Sequence, residues 1–316
     1  MSKEVKHKSV LLQEIIQYLK PERGQVFIDA TIGFGGHAEA LLEKISPSGK
    51  MLGIDQDSEA LDWLGANLMP KHPNLLLKKA NFSEIELVAG ESGVQNANGI
   101  LADIGVSSVQ LDKTERGFSF KGNGPLDMRM DKTRDLTAEK VVNTYSETDL
   151  TDIFSKYGEE RLSKTISREI VAKRAKKPFK TTLELASLIE GIYGKYGLKS
   201  AKIHPATRVF QALRIEVNDE LGSLQKFLPQ ALDLLAPQGR LAVISFHSLE
   251  DRIVKDFFQK EAKGCICPSE YPVCKCEHEK RLKIITKKPV LANEREITNN
   301  PRARSAKLRV IEKLGN

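Results

Sequence analysis

Gln25-Val26-Phe27-Ile28-Asp29-Ala30, then Thr31-Ile32-Gly33-Phe34-Gly35-Gly36, then a helix expected to begin near His37, form the stretch on which the fold turns. A strand that breaks into a tight glycine turn and continues as a helix is how an α/β protein lays its backbone against a nucleotide-like ligand. Side chains at Gly33, Gly35 or Gly36 would block that approach, and the helix N-terminus offers unpaired N–H groups. About twenty residues on, the spacing expected for a ribose-binding acid, a second strand, Lys50-Met51-Leu52-Gly53-Ile54, ends in Asp55. A carboxylate there can accept both hydroxyls of an adenosine ribose. The two units together predict an adenosine cofactor.

Working outward, Asn74–Lys79 and Gly99–Ile104 read as a third and a fourth strand. Strands spaced by helical stretches predict a parallel sheet with helices on both faces. The pattern resumes with a helix over Leu224–Leu235, a turn at Pro237-Gln238-Gly239 and the most apolar strand, Arg240–Phe246. A helix over Leu249–Lys260 and two strands near Leu282–Thr286 and Lys307–Ile311 close the sheet. The segment between differs. From Lys113 to about Thr133 it is rich in glycine, charge and turn residues, and helical periodicities follow at 138–142, 147–154, 162–173 and 183–193. The expected organisation is a Rossmann-like α/β domain, 1–112 plus 213–316, with a mainly helical domain, 113–212, inserted after the fourth strand. Ligands of open parallel sheets sit outside the carboxyl ends of the strands, where strand order reverses. An insertion there predicts a lid or clamp that holds a macromolecular substrate.

The 316 residues suffice for one large α/β domain carrying an insertion, and 40% hydrophobic with 29% charged content is ordinary for a globular protein. No apolar run reaches the ~18 residues of a membrane span. Met1–Lys8 is polar and lacks the apolar stretch of a signal peptide, and four cysteines within twelve residues do not resemble a secreted disulfide framework. A cytoplasmic protein without membrane partners is expected. The net charge is +7; residues 113–212 hold 20 Lys+Arg against 13 Asp+Glu, and the remainder holds 29 of each. A neutral body with a basic insert suits a phosphate-rich macromolecule, the alternative being a solvated helical face with scattered lysines. Arg168, Lys173, Arg174, Lys176, Lys177 and Lys180 form a basic run around Pro178-Phe179.

Read alone, Gly33-Phe34-Gly35-Gly36-His37-Ala38 satisfies G-x-G-x-x-A, so a dinucleotide stays open. Asp29, four residues before Gly33, favours S-adenosylmethionine (SAM), because a carboxylate there can bind a water or the ammonium of the cofactor. Nothing in the sequence reads as a nicotinamide-side catalytic domain.

The string Asp29-Ala30-Thr31-Ile32-Gly33-Phe34-Gly35-Gly36-His37 closely resembles motif I of the bacterial small-subunit rRNA (cytosine-N4-)methyltransferases, the MraW/RsmH family. The resemblance runs nearly end to end. It takes in His7-Lys8-Ser9-Val10-Leu11-Leu12, Asp103-Ile104-Gly105-Val106-Ser107-Ser108-Val109-Gln110 and Gly124-Pro125-Leu126-Asp127-Met128-Arg129-Met130. It continues through His204-Pro205-Ala206-Thr207-Arg208, Phe246-His247-Ser248-Leu249-Glu250-Asp251-Arg252 and Asn300-Pro301-Arg302-Ala303-Arg304-Ser305. It implies a class I SAM-methyltransferase fold that methylates the exocyclic N4 of a cytidine in the decoding region of 16S rRNA, within the small ribosomal subunit. By resemblance, Gly35, Gly36 and His37 line the methionine end of SAM, Asp55 takes the ribose, Phe82 packs beside the adenine, and Asp103 and Gln110 complete the pocket. Arg208, Arg302 and Arg304 are candidate phosphate contacts.

Cytosine N4 is a poor nucleophile because its lone pair is delocalised into the ring. Acceptors for its two N–H groups would hold it in line with the methyl group. Many amino-methyltransferases use Asp/Asn-Pro-Pro-aromatic here; this chain keeps the acid in Asp103-Ile104-Gly105-Val106 and lacks both prolines and the aromatic. Asp103 is the expected amine-side acceptor and His247 a second catalytic candidate, with a helix-capping role for His247 as the alternative. Cys265-x-Cys267 and Cys274-x-Cys276 have the count for a tetrahedral structural zinc, with His278 as a spare ligand, although C-x-C is tighter than the usual C-x2-C. Two other functions stay open: an NAD-dependent oxidoreductase, and a non-catalytic RNA-binding assembly factor.

Overall fold

The computed structural model describes residues 9–198, 203–268, 270–271 and 273–315. His7 and Lys8 of the resemblance above lie outside the described residues, as do Ser269 and Pro272 of the cysteine loop. Eight strands form one sheet: β1 Val26–Asp29, β2 Lys50–Asp55, β3 Leu75–Lys79, β4 Ala97–Asp103, β5 Leu235–Ser245, β6 Leu282–Ile284, β7 Val290–Leu291 and β8 Lys307–Lys313. Their order is β3-β2-β1-β4-β5-β8-β6, with β7 also on β8. The first five pair in parallel, and β8 runs antiparallel to β5, β6 and β7. β7 escapes the sequence reading because two residues carry no periodicity.

The continuous apolar character of the strands follows from burial on both faces. Along β5, Leu241 and Val243 enter one apolar cluster, and Ala242 and Ile244 the other. Ile28 and Phe27 divide in the same way on β1. One cluster is completed by helices Ile85–Glu91, Glu220–Leu234 and Ser248–Glu261, the other by Leu12–Leu19, Gly36–Ile45 and Ser58–Asn67. The turn expected at Pro237-Gln238-Gly239 lies inside β5 instead. Leu235 already pairs with Ala97 and Arg240 pairs with Gly99, so the extra residues bulge out, with Gln238 at φ 64.

The chain divides into two compact units, Met1–Gly105 with Leu221–Asn316, and Val106–Glu220. The second unit is helical: Ala138–Thr144, Glu147–Lys156, Ser163–Arg174, Thr182–Lys195 and Thr207–Asn218 pack around its own core. A boundary at 212 cuts the last helix in half. That helix buries Val209, Phe210, Leu213 and Val217 in this core, and Asn218 at its end accepts from the Met130 N–H and donates to the Met128 carbonyl, both at 2.8 Å. Taken over 106–220, the balance is 21 Lys+Arg against 17 Asp+Glu, a smaller basic excess than over 113–212.

The basic run splits by role. The Arg174 guanidinium donates to the carbonyls of Val142 (2.6 Å) and Tyr145 (2.5 Å) at the end of helix Ala138–Thr144. Lys177 pairs with Glu184 at 2.8 Å, whereas Arg168, Lys173, Lys176 and Lys180 are exposed. Arg174→Ala is therefore expected to lower stability by about 1–3 kcal/mol, since it leaves helix-end carbonyls without donors. Lys176→Ala should leave the urea midpoint unchanged. Equal midpoints for the two variants would contradict the division.

Candidate active site at the carboxyl ends of the strands

Strand order reverses between β1 and β4, and the acids that end β1, β2 and β4 are Asp29, Asp55 and Asp103. The glycine turn is stitched to both neighbouring strands. Ile32 N–H donates to the Ile54 carbonyl (2.9 Å), Gly33 N–H to Asp55 Oδ2 (2.8 Å), and Asp103 N–H to Thr31 Oγ1 (2.7 Å). Asp55 Oδ1 accepts from Asp57 N–H at 2.9 Å, which fixes the carboxylate plane. Helix Gly36–Ile45 starts from Gly35 in the left-handed region with no side-chain cap hydrogen bond, and a helix N-terminus of this kind can donate N–H groups to a ligand.

Burial governs the electrostatics. Asp29 is pushed up to about 7, by desolvation first and by the charge of Asp55 as well, against the N–H of Thr31. Asp55 rises to about 6 by burial, held back by the N–H groups of Asp57 and Gly33. Asp103 rises to about 8 by burial and then by the neighbouring charges of Asp29 and Glu250. Asp103 Oδ1 is buried with no hydrogen-bond partner among the described residues. Three desolvated acids with an unsatisfied acceptor suit a cationic ligand such as the ammonium and sulfonium of SAM, and these residues fit that cofactor.

The other expected residues fall out as follows. His37 is buried, its Nε2 donating to the Val10 carbonyl (2.8 Å) and its Nδ1 lying 3.8 Å from Asp103 Oδ2. Gly36 opens the helix beside it. Phe82 sits in the core, its ring edge-on to Phe227 at 5.3 Å, so little of it remains to cover a purine. Gln110 belongs to the helical unit, where it completes a capping box with Ser107. His247 caps helix Ser248–Glu261: its Nδ1 accepts from Glu250 N–H at 3.4 Å. Its Nε2 lies 3.1 Å from Glu250 Oε1 without hydrogen-bond alignment, and both atoms lack other partners among the described residues. His278 is drawn away from the cysteines to the Lys260 carbonyl (3.1 Å).

Three residues emerge only in the structure. Thr31 ties the end of β4 to the glycine turn. Glu250, fully buried, accepts from the N–H groups of Phe246 (2.8 Å) and His247 (3.3 Å) and so shapes the end of β5. Phe246 lies against Gly105, whose φ of +131° strains any side chain, while a Cβ there would meet the Phe246 ring only at an ordinary contact distance of 3.4 Å. The strings around these residues marked the place, but hydrogen bonds between chain segments leave no periodic trace.

Five parallel strands in the order 3-2-1-4-5, a reversed strand beside β5, a glycine turn after β1 and an acid after β2 define a Rossmann-like α/β protein built for an adenosine cofactor. The family described as the MraW methylase family matches residues 4–314. Curated relatives named ribosomal RNA small subunit methyltransferase H include one from Halothermothrix orenii, 47% identical over 99% of this chain and 100% of that protein. Another, from Geotalea daltonii, is 49% identical over 98% and 99%. Among solved structures, an rRNA methylase from Streptococcus thermophilus aligns over 98% of both chains at 10% identity and a TM-score of 0.43. The chain belongs to the MraW methylase family, a family of SAM-dependent methyltransferases. No helix among the described residues is long and apolar enough to cross a membrane.

Proposed function

We propose that this chain is the SAM-dependent methyltransferase that modifies the exocyclic N4 of a cytidine in the decoding region of 16S rRNA, within the small ribosomal subunit. The observation that carries the reading is the unpartnered, buried Oδ1 of Asp103 at the end of β4, in a chain of this family. Gly35, Gly36, His37 and Asp29 hold the methionine end, Asp55 the ribose and Phe82 the edge of the adenine. Bound there, SAM supplies a methyl group on a positively charged sulfur. Asp103 accepts a hydrogen bond from the N4 amine and aligns its lone pair. Raised to about 8 in the free protein, Asp103 gives up its proton when the cationic cofactor binds, and the resulting carboxylate can take the proton that the amine loses. His247, held by its helix cap beside β5, orients the base.

A pH dependence follows. Acids raised from 3.8 to about 6, 7 and 8 bind protons in the folded chain that the unfolded chain has released. Stability of the free protein therefore falls as pH rises from about 4 through about 8. A cationic ligand expels those protons. Between about pH 5.5 and 7.5, below the range where an α-ammonium titrates, SAM affinity should rise at least about tenfold. Calorimetry in buffers of different ionisation enthalpy should show proton release. An affinity flat across this window would contradict the acidic pocket, and tighter binding of NAD than of SAM would overturn the cofactor assignment.

For the RNA, exposed Arg168, Lys173, Lys176 and Lys180 offer phosphate contacts on the helical unit. Charge reversal at Lys173, Lys176 and Lys180 together should weaken RNA binding and reduce the slope of log affinity against log salt by about 2–3. An unchanged slope would remove this face from the RNA site.

A further inference from the structure

Between helix Ser248–Glu261 and β6 the chain forms an exposed loop. None of its described residues from Lys263 to Lys280 is buried, and Ile266, Tyr271 and Val273 point their apolar side chains to solvent. Such a loop has no hydrophobic core to hold it. Yet its four cysteines converge: the sulfurs of Cys265, Cys267, Cys274 and Cys276 all lie within 4.8 Å of one another, with Cys274–Cys276 at 3.5 Å and Cys276–Cys265 at 3.8 Å. The edge of a ZnS4 tetrahedron, from a Zn–S bond of about 2.3 Å, is about 3.8 Å.

The backbone around the sulfurs is arranged reciprocally. Ile266, the residue between the first two cysteines, donates its N–H to Cys276 Sγ (3.4 Å). Lys275, between the second two, donates its N–H to Cys267 Sγ (3.3 Å), and Cys267 N–H adds a third bond to Cys265 Sγ (3.4 Å). N–H groups aimed at sulfur stabilise thiolates over thiols, and four thiolates in contact need a cation between them. The short C-x-C spacing is accommodated because each pair takes its N–H donor from the other pair.

We propose that Cys265, Cys267, Cys274 and Cys276 form a tetrathiolate site for Zn2+ that folds this loop, apart from the methyl-transfer site. Soft sulfur donors in a tetrahedron select zinc over harder divalent ions. With all four positions filled by protein, the ion is structural and offers no open position for substrate.

The test uses the full chain, purified under reducing conditions. Elemental analysis should find one zinc per chain. The protein stripped with a chelator and titrated with Co2+ alone should develop the intense visible bands of tetrahedral cobalt–thiolate. Cys274→Ser with Cys276→Ser should lower Co2+ affinity at least about 100-fold, at or beyond the upper end of what outer partners of a metal site cost, while leaving SAM binding unchanged. Metal removal should also speed tryptic cleavage at Lys275. The proposal is overturned by four freely titrating thiols with no bound metal, by disulfides in the reduced preparation, by iron in place of zinc, or by a cobalt spectrum that survives the double substitution.

Discussion

Asp103→Asn is expected to lower kcat for methyl transfer by about 100- to 1000-fold, the range lost with a positioned acid–base group, without unfolding the protein. The side chain supports little of the fold. Its Oδ1 has no partner among the described residues, and the tie between β4 and Thr31 runs through the Asp103 backbone N–H, which the substitution keeps. Burial beside Asp29 and Glu250 makes the charged form costly, which is why Asp103 is raised to about 8. The neutral amide removes that cost, so at pH 8.5 and above the variant should melt at the same temperature as the parent or higher. Lost turnover with retained or raised stability would mark a group kept for chemistry. A variant with more than about a tenth of the parental kcat would remove Asp103 from the proton path, and a large drop in melting temperature would make it structural.

Gly35→Val is expected to cost about 2–5 kcal/mol, a large share of the total stability of a typical domain. Gly35 has φ +78° at the start of helix Gly36–Ile45, which costs an L side chain about 1–2 kcal/mol. A Cβ there would lie 2.6 Å from Leu64 Cδ2 and 2.9 Å from Leu68 Cδ2, adding an overpacking cost of about 1–3 kcal/mol. The clash is with the helix packed behind the turn, so this glycine is demanded by the core as well as by the ligand side. Gly93→Ala separates the two costs: Gly93 has φ +64° but open space around it, so only the backbone cost of about 1–2 kcal/mol applies. Urea unfolding of both variants measures the difference. Equal losses would mean that the leucines yield and that Gly35 is fixed by backbone conformation alone.

Strands β1, β2, β4 and the second half of β5 were legible because burial on both faces leaves short apolar runs, whereas the edge strand β3, exposed at Leu76, Lys78 and Lys79, was read from Leu75-Leu76-Leu77. The ends of β1, β2 and β4 were legible for the same reason, since each apolar run stops at an aspartate. The helix Thr207–Asn218 was missed because its apolar residues serve the second unit while its sequence neighbours serve the sheet. The bulge in β5 read as a turn because Pro237-Gln238-Gly239 has turn chemistry, and only the pairing of Leu235 with Ala97 places it within a strand. Asp103 was read as an acceptor from its position, but its raised pKa comes from burial first and then from the charges of Asp29 and Glu250, which converge on it only on folding. The basic run read as uniform; that Arg174 turns inward to two carbonyls depends on a helix about 30 residues earlier in the chain.

The most direct test is transfer of labelled methyl from SAM to small ribosomal subunits that lack the modification, with naked 16S rRNA and tRNA alongside and the labelled nucleoside identified by mass. The expected result is N4-methylated cytidine from the subunit, abolished by Asp103→Asn. Label at another atom or only in tRNA, or tight SAM binding with no label in any RNA, would contradict the proposed function.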